Sequence, residues 1–278
     1  MPRETQLSDA TIVIPVLNQL SYTANCLQFL NRAGILDSQI VVVNNASTDG
    51  TADFLAARQQ IHVIHNAENR SCGFAFNQGI RQLPATWTVL LNNDVAFHPG
   101  TMKQLIAFAE TESFDLASPA MCEGDLDYDL TAYSDAFVRR MSSVKRLGIF
   151  FGPCFMVHRR VFETLGLFDD DPRLGGYEDD EFWRRCRRAG FRMAITGQSL
   201  IHHFGSVTQK SIKASRHQPH AILGDRNYYR KKTGQTWVRR KVTQIKQAIQ
   251  KTWWTKTERL LLGDTLLKTR EGGAWLYR

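Results

Sequence analysis

The chain has 278 residues, 43% hydrophobic and 22% charged, with a net charge of +8 at pH 7; this length and balance suit a folded protein with a full core, neither disordered nor fibrous. No apolar run reaches the roughly 20 residues needed to span a bilayer, and MPRETQLSDA lacks the apolar core of a signal peptide. Five scattered cysteines (26, 72, 122, 154, 186) form no CxxC pair, which excludes a disulfide framework or zinc module and leads us to expect reduced thiols in a cytoplasmic protein.

The charge is unevenly placed. Residues 207–278 carry 17 Lys and Arg against 4 Asp and Glu, whereas residues 1–206 carry 18 against 23. An acidic body with a basic tail argues against a protein coated for nucleic acid and for an anionic partner at one end.

Thr11 to Val16 (TIVIPV) is a continuous β-branched run, the pattern of a central parallel strand covered on both faces. A turn at Asn18 leads to a helix with Leu20, Ala24, Leu27 and Leu30 at helical spacing and Gly34 as its stop. Ile40 to Val43 is a second strand, ended by the cap and turn formers NNASTDG before a short helix at about Thr51 to Arg58. Ser47 and Asp49 read as loop and cap residues. His62 to His65 reads as a third strand, Gly73 to Leu83 as a helix, and Trp87 to Leu91 as a fourth strand that delivers Asn92, Asn93 and Asp94. Strand and helix thus alternate four times, which implies a parallel sheet with right-handed crossovers. Ligands of such sheets bind beyond the carboxyl ends of the strands, where Asp94 stands. No GxGxxG follows the first strand and no GxxxxGK[ST] occurs, so a dinucleotide dehydrogenase and a P-loop enzyme are disfavoured.

Residues 96–148 are less legible. Pro99 opens an amphipathic helix through about Thr111, FDLASP suits a strand, and EGDLDYD reads as an acidic loop of the kind that shapes an acceptor site. At GGYEDDEFWRRCRRAG two glycines precede a helix whose Phe182, Cys186 and Ala189 share one face. Glu178, Asp179, Asp180 and Glu181 crowd its first turn. Acids there complement the helix dipole, but four in a row repel one another and lift a carboxylate pKa, a property useful in a general base. In IHHFGSVT, after a short strand around Met193 to Ile195, extended backbone would turn His202 and His203 opposite ways. At most one of the pair could therefore reach a cation.

The tail interleaves basic and aromatic residues (RNYYRKKTGQTWVRRK) and then places Val242, Ile245, Ile249, Trp253, Leu260 and Leu261 on an approximately helical period. Such a helix suits an anionic membrane surface, the catalytic body or a second copy of the chain. Nucleic acid is not expected, since no recognised binding motif is present.

TIVIPVLNQ, VVVNNASTDGT, NRSCGFAFNQGI, LLNNDV, GPCFMVHRRVFETLGLFDD, GYEDDEFWRRCRRAGFR and IHHFGSVT, in this order over roughly residues 10–235, resemble the GT-A-fold glycosyltransferases of family 2, in the branch containing rhamnosyl- and other glycan-building transferases. The resemblance implies an inverting enzyme using a nucleoside diphosphate sugar and Mn²⁺ or Mg²⁺. Its DxD signature falls on Asn92, Asn93 and Asp94, which makes Asp94 the metal ligand and Asn92 a sugar or ribose contact. Only one carboxylate of that signature is present, so the cation would be held largely by diphosphate and water, with His202 or His203 completing its shell. Pro15, Asn18 and Asn44 would line the base and ribose pocket, with Gly73 and Asn77 approaching the nucleotide. Asn44 stands where the family usually has an aspartate; its carbonyl still accepts a pyrimidine N–H, which favours UDP or dTDP sugars. The ED pattern makes Asp179 the general base and Glu178 an acceptor contact, with Asp180 the rival base.

The expected architecture is an α/β GT-A domain over 1–206, with a nucleotide-sugar half at about 10–95 and an acceptor half at 96–206. A basic helical extension follows over 207–278. The acceptor would be a glycan or lipid-linked glycan, the location cytoplasmic with a peripheral membrane contact through the extension, and a homo-oligomer is compatible with the sequence. A non-catalytic sugar-nucleotide or glycan-binding protein of this fold is the alternative. A sugar-nucleotide pyrophosphorylase fits less well, because VIPVLNQ replaces its glycine-rich phosphate loop.

Overall fold

A computed structural model describes residues 7–207, 224–234 and 236–277. The first six residues, Thr208 at the end of IHHFGSVT, the rest of 208–223, Gln235 and Arg278 lie outside the described residues.

The four apolar runs become strands β1 (Ala10–Val16), β2 (Ile40–Asn44), β3 (His62–His65) and β4 (Trp87–Leu91). They lie in the order β4-β1-β2-β3, all parallel, with Ile12 beside both Ile40 and Val89. Helices α1 (Leu20–Arg32), α2 (Thr51–Ala56) and α3 (Cys72–Gln82) make the crossovers. Because strand side chains alternate between faces, Ile12, Ile14 and Leu91 pack with Leu27 and Leu30 of α1, while Val13 and Leu90 pack with Phe76 of α3 on the other face. Backbone approach is close on this second face: a Cβ at Gly79 would stand 2.2 Å from Val13 Cγ1. Ser71 caps α3 by accepting the Phe74 N–H.

After β4 the chain reverses. It continues through β5 (Val95–Phe97), α4 (Thr101–Thr111), β6 (Leu116–Gly124), α5 (Leu130–Met141), β7 (Lys145–Leu147), β8 (Cys154–His158), α6 (Arg159–Leu165), α7 (Glu178–Arg188) and β9 (Met193–His203). Strand β8 enters antiparallel between β4 and β6, with Leu91 opposite Cys154 and Leu116 opposite Val157. Strand β9 runs parallel to β6 and antiparallel to β5 and β7. The fold is therefore an α/β layer structure around a mixed sheet, parallel through β1 to β4 and with equal numbers of parallel and antiparallel pairings among the described strands. Three details depart from the sequence reading. The short strand expected at 193–195 runs for eleven residues to His203, because every position except Gln198 is buried. Helix α5 begins at Leu130, capped by Asp129 at the end of the acidic stretch. On α7 the buried face is Phe182, Trp183 and Cys186, and Ala189 is exposed.

The basic extension contributes α8 (Arg226–Lys232), α9 (Trp237–Leu262) and a hairpin of β10 (Leu267–Glu271) and β11 (Ala274–Tyr277). Gly272 and Gly273 form its two-residue turn, both with positive φ, the conformation that matches strand twist and that glycine adopts at little cost. Strand β10 extends the main sheet by pairing in parallel with β6. It buries Lys268 against Asp264 and the Tyr133 hydroxyl. Among the described residues no helix is long and apolar enough to cross a membrane.

Candidate active site

Beyond the carboxyl ends of β1, β2 and β4 lies a cleft of about 190 Å³. Pro15, Val16 and Leu17 form one wall, Asn92, Asn93 and Asp94 the next, and Asn45, Asn69, Arg70 and Ser71 a third, with Gly175, Gly176 and Glu178 closing it from α7. Segments far apart in sequence thus meet because parallel strands deliver their exits to one edge of the sheet.

Asp94 is 3% exposed. Its Oδ2 accepts the Val207 N–H at 3.0 Å, and its Oδ1 faces His203 Nε2 at 3.3 Å but makes no hydrogen bond. Burial alone would raise the Asp94 carboxyl; the imidazole and the Val207 N–H outweigh it and hold the group below its ordinary value. His203 Nε2 also accepts the Ser206 N–H at 3.3 Å, so it presents a lone pair rather than a proton; a buried carboxylate oxygen facing such a nitrogen is a donor set that a divalent cation fits. Among the described residues no cluster of three or more His, Cys, Asp or Glu side chains surrounds a common point. The protein would thus supply two ligands and leave room for oxygen donors from substrate and water.

The histidine pair divides as extended backbone requires. His203 turns to Asp94, while His202 turns to the opposite face, between the Tyr128 hydroxyl at 2.8 Å and the Gly124 carbonyl at 3.0 Å. A carbonyl only accepts, so His202 Nε2 carries the proton and Nδ1 accepts from Tyr128. Burial pushes the His202 pKa down to about 4. Both of its nitrogens are committed away from the cleft, and His202 is thereby corrected from a cation ligand to a structural group.

The nucleotide-pocket residues separate in the same way. Pro15, Asn92 and Asn93 line the cleft, although the Asn93 carboxamide is also spent on Thr23 Oγ1. Asn18, Asn44, Gly73 and Asn77 do not. Asn18 Oδ1 accepts the Thr48 N–H and its backbone N–H donates to Ser47 Oγ. Asn44 accepts the Ser47 N–H and meets His65 Nδ1 at 3.2 Å. Gly73 sits where a Cβ would press on the Asp169 carbonyl and Glu178 Cγ, at 3.0 and 3.2 Å. Asn77 donates to the Phe168 carbonyl and accepts the Phe168 N–H, both at 2.9 Å, so it clamps the approach to α7 rather than a ligand. Ser47 and Asp49 act as loop and cap groups, Asp49 accepting from the Leu20 and Thr51 N–H groups.

Several cleft residues went unassigned in the sequence reading, Asn45, Asn69 and Arg70 among them. Asn45, next to Asn44, braces the loop before α3 by donating to Asn69 Oδ1 and the Arg70 carbonyl and accepting from Asn66 and the Arg70 N–H. This holds Asn69 and Arg70 on the cleft wall. The only signal in the sequence was a polar run, NAENRS, between a strand and a helix.

At the first turn of α7 the four acids have different fates. Glu178, 5% exposed, accepts the Gly176 N–H through Oε2 at 2.6 Å, while its Oε1 is buried without a partner. Burial, helped by the charge of Asp179, raises its pKa. The half-buried Asp179 accepts the Asp180 N–H through Oδ1 at 2.9 Å, and its Oδ2 stands beside Gly152, where a Cβ would come within 2.4 Å. Burial and then the Asp180 charge raise Asp179 as well. Asp180 is bound to Arg184 at 3.2 Å and to the Tyr229 hydroxyl, and Glu181 pairs with Arg185. Two acids are therefore structural; of the other two, both in raised-pKa surroundings, Glu178 lines the cleft and Asp179 stands beside Gly152.

The family model described as glycosyl transferase family 2 matches residues 11–166. The chain is 24% identical over 217 residues to an uncharacterized glycosyltransferase of Rickettsia typhi, covering 73% of this chain and 67% of that relative. It is 30% identical over 112 residues to a PGL/p-HBAD biosynthesis glycosyltransferase of Mycobacterium tuberculosis, covering 38% of this chain and 44% of the relative. An O-antigen chain rhamnosyltransferase of Salmonella typhimurium is 22% identical over 218 residues, with 72% and 68% covered. Among solved structures, a mannosyltransferase of Pyrobaculum calidifontis in complex with GDP-Man and Mn²⁺ superposes with a TM-score of 0.55 at 18% identity, over 70% of this chain and 56% of its own. TarS residues 1–349 of S. aureus in complex with UDP-GlcNAc superposes with a TM-score of 0.57 at 15% identity, over 70% and 58%. The chain thus spans less than half of the mycobacterial relative and under two thirds of these two structures.

Proposed function

The chain belongs to glycosyl transferase family 2, and from that premise we propose that it is an inverting glycosyltransferase. It moves a hexosyl or deoxyhexosyl group from a nucleoside diphosphate sugar to a hydroxyl of a glycan or lipid-linked glycan. The observation that carries this reading is the cleft itself, with Asp94, which His203 faces from behind, on one wall and Glu178, next in the chain to Asp179, on another.

In this reading the donor lies along the cleft, with its diphosphate near Asp94 and the nucleoside between Pro15 and the Asn45–Arg70 wall. Asp94 and His203 would hold a divalent cation, and the imidazole favours Mn²⁺ over Mg²⁺. Such a cation, when bound, neutralises charge on the departing diphosphate. Asp179 takes the proton from the acceptor hydroxyl while the new C–O bond forms at the anomeric carbon and the bond to the diphosphate oxygen breaks. That single displacement inverts the anomeric centre. A raised pKa suits Asp179 to the task, because a stronger base removes the proton more readily. Asp180 is a poor candidate for the same role, since Arg184 and Tyr229 already occupy its carboxylate. Glu178 accepts a hydrogen bond from the acceptor through its unpartnered Oε1. The donor list takes in UDP, dTDP and GDP sugars alike, since Asn44 does not reach the cleft to select the base.

Calorimetric titration of UDP, dTDP, GDP and CDP, with and without Mn²⁺, tests this reading. Metal-dependent binding of one nucleotide, lost in Asp94→Ala, is expected. Absence of binding for all four under both conditions would sink it.

A further inference from the structure

Helix α9 is unlike the others. Its 26 residues extend for about 39 Å, yet Glu258 is its single buried residue. Val238, Val242, Ile245, Ile249, Trp253 and Leu260 are all exposed; Ile249 is 65% exposed and Trp253 62%. Their spacing of four, three, four, four and seven places them in a band about 80° wide on one side of the helix. At the same helical period Arg239 and Lys246 fall along one margin, Lys241 and Arg259 along the other, and Lys256 within the band.

The opposite side is docked. Glu258 forms a bidentate pair with Arg146 at 2.8 Å through both oxygens and accepts the Leu266 N–H. Trp254 lies under the Arg146 guanidinium at 5.3 Å. Nearer the helix N-terminus, Thr243, Gln244 and Gln247 border a cavity shared with Tyr177, Asp180 and Tyr229. The band therefore faces away from the body, and no described residue buries it.

We propose that this face of α9 docks on an anionic lipid bilayer. The chemistry matches one partner. Seven Lys and Arg lie on α9 against one acid, and that acid is consumed by Arg146, so the exposed helix carries only positive charge. Aliphatic residues and Trp253 enter the interfacial region while the flanking cations meet lipid phosphates. A second copy of the chain fits poorly, because pairing two such faces sets five cations against five with no acid between them. A nucleic acid offers phosphates but nothing to cover a band of Val, Ile and Trp. In this docking the helix lies beside the turn that carries Glu178 and Asp179. On the transferase reading, it thereby holds the base side of the cleft at the surface where a lipid-linked hydroxyl is presented.

The experiment is sedimentation of the full chain with vesicles of equal parts phosphatidylglycerol and phosphatidylcholine, against pure phosphatidylcholine, at low and high NaCl. We expect binding to the anionic vesicles that weakens with salt, and little to the neutral ones. Ile245→Asp with Ile249→Asp lowers the apparent affinity by about tenfold or more, and Lys246→Glu with Lys256→Glu does so independently. Both pairs are exposed, so thermal melts should match wild type. Absence of vesicle binding, binding unchanged in both variants, or a concentration-dependent dimer abolished by the Asp pair would each overturn the proposal. Metal-dependent nucleotide binding, measured on the same preparation, reports on the transferase reading separately.

Discussion

Gly152→Ala moves the proposed base without removing it. A Cβ at this position would stand 2.4 Å from Asp179 Oδ2 and 3.5 Å from its Cγ, whereas ordinary contact begins at 3.4 Å. The carboxylate must therefore retreat by about 1 Å, a misplacement worth roughly a hundredfold in rate, or about 2.7 kcal/mol of activation free energy. The backbone offers no objection to alanine, since Gly152 is not among the positive-φ glycines. The carboxylate cannot simply pivot, because Oδ1 is tied to the Asp180 N–H; losing that bond costs about 1 kcal/mol of stability. Gly152 does not border the donor cleft, so nucleotide affinity should stay within about twofold of wild type. The assay is release of nucleoside diphosphate from whichever sugar nucleotide the protein turns over, beside calorimetric titration of the free nucleotide and Mn²⁺. Turnover equal to wild type would refute the placement of the base beside Gly152. A parallel loss of nucleotide affinity would show that Gly152 supports the donor cleft instead.

His203→Ala should weaken Mn²⁺-dependent nucleotide binding by about tenfold or more, while His202→Ala leaves it unchanged; calorimetry on the two variants separates them, and equal losses would contradict the division of the pair. Arg146→Ala strands the Glu258 carboxylate, each partner being under 10% exposed. It should cost about 3–5 kcal/mol, read as a Tm lowered by roughly 10 °C, and a melt matching wild type would remove this pair as the anchor of α9. For Glu178→Gln the sign follows from linkage. The folded-state pKa is raised, so the cost of ionising Glu178 is absent below its unfolded value and grows as pH rises through the folded one. The variant should melt higher than wild type at pH 7 and alike below about pH 3, where the carboxyl is protonated in the folded and the unfolded chain. A Tm gain that does not depend on pH would show that packing, rather than the buried charge, is responsible.

Much of the first half of the fold was legible from local pattern. TIVIPV, IVVV and WTVLL are apolar without interruption, so they predict strands buried on both faces, and the polar turns after them mark the ends where a site collects. Asp94 and the crowded first turn of α7 were visible for the same reason, as charges placed at the ends of apolar segments. Periodicity reports which residues share a face of one element, and it correctly sent His202 and His203 opposite ways.

What it leaves open is which face looks into the cleft, because that depends on partners distant in sequence. Val95 pairing with His203 puts that histidine beside Asp94, and the Tyr128 hydroxyl engages His202 from 74 residues away. Asn44 and Asn45 are chemically identical neighbours; only the paired strands β2 and β3 determine that Asn45 faces the cleft and Asn44 faces His65. Gly73 and Asn77 resemble ligand contacts until the loop at Phe168 and Asp169 folds onto them. Asp180 has Arg184 one helical turn on as a local partner, and tertiary packing completes the division by bringing Gly152 to Asp179 and Tyr229 to Asp180. The sequence determined which groups stand at the ends of strands and helices, because those rules act over a few residues. Tertiary structure decided which of these groups are spent on protein partners and which stay free for a substrate, because a hydrogen bond from a distant segment has no signature in local pattern.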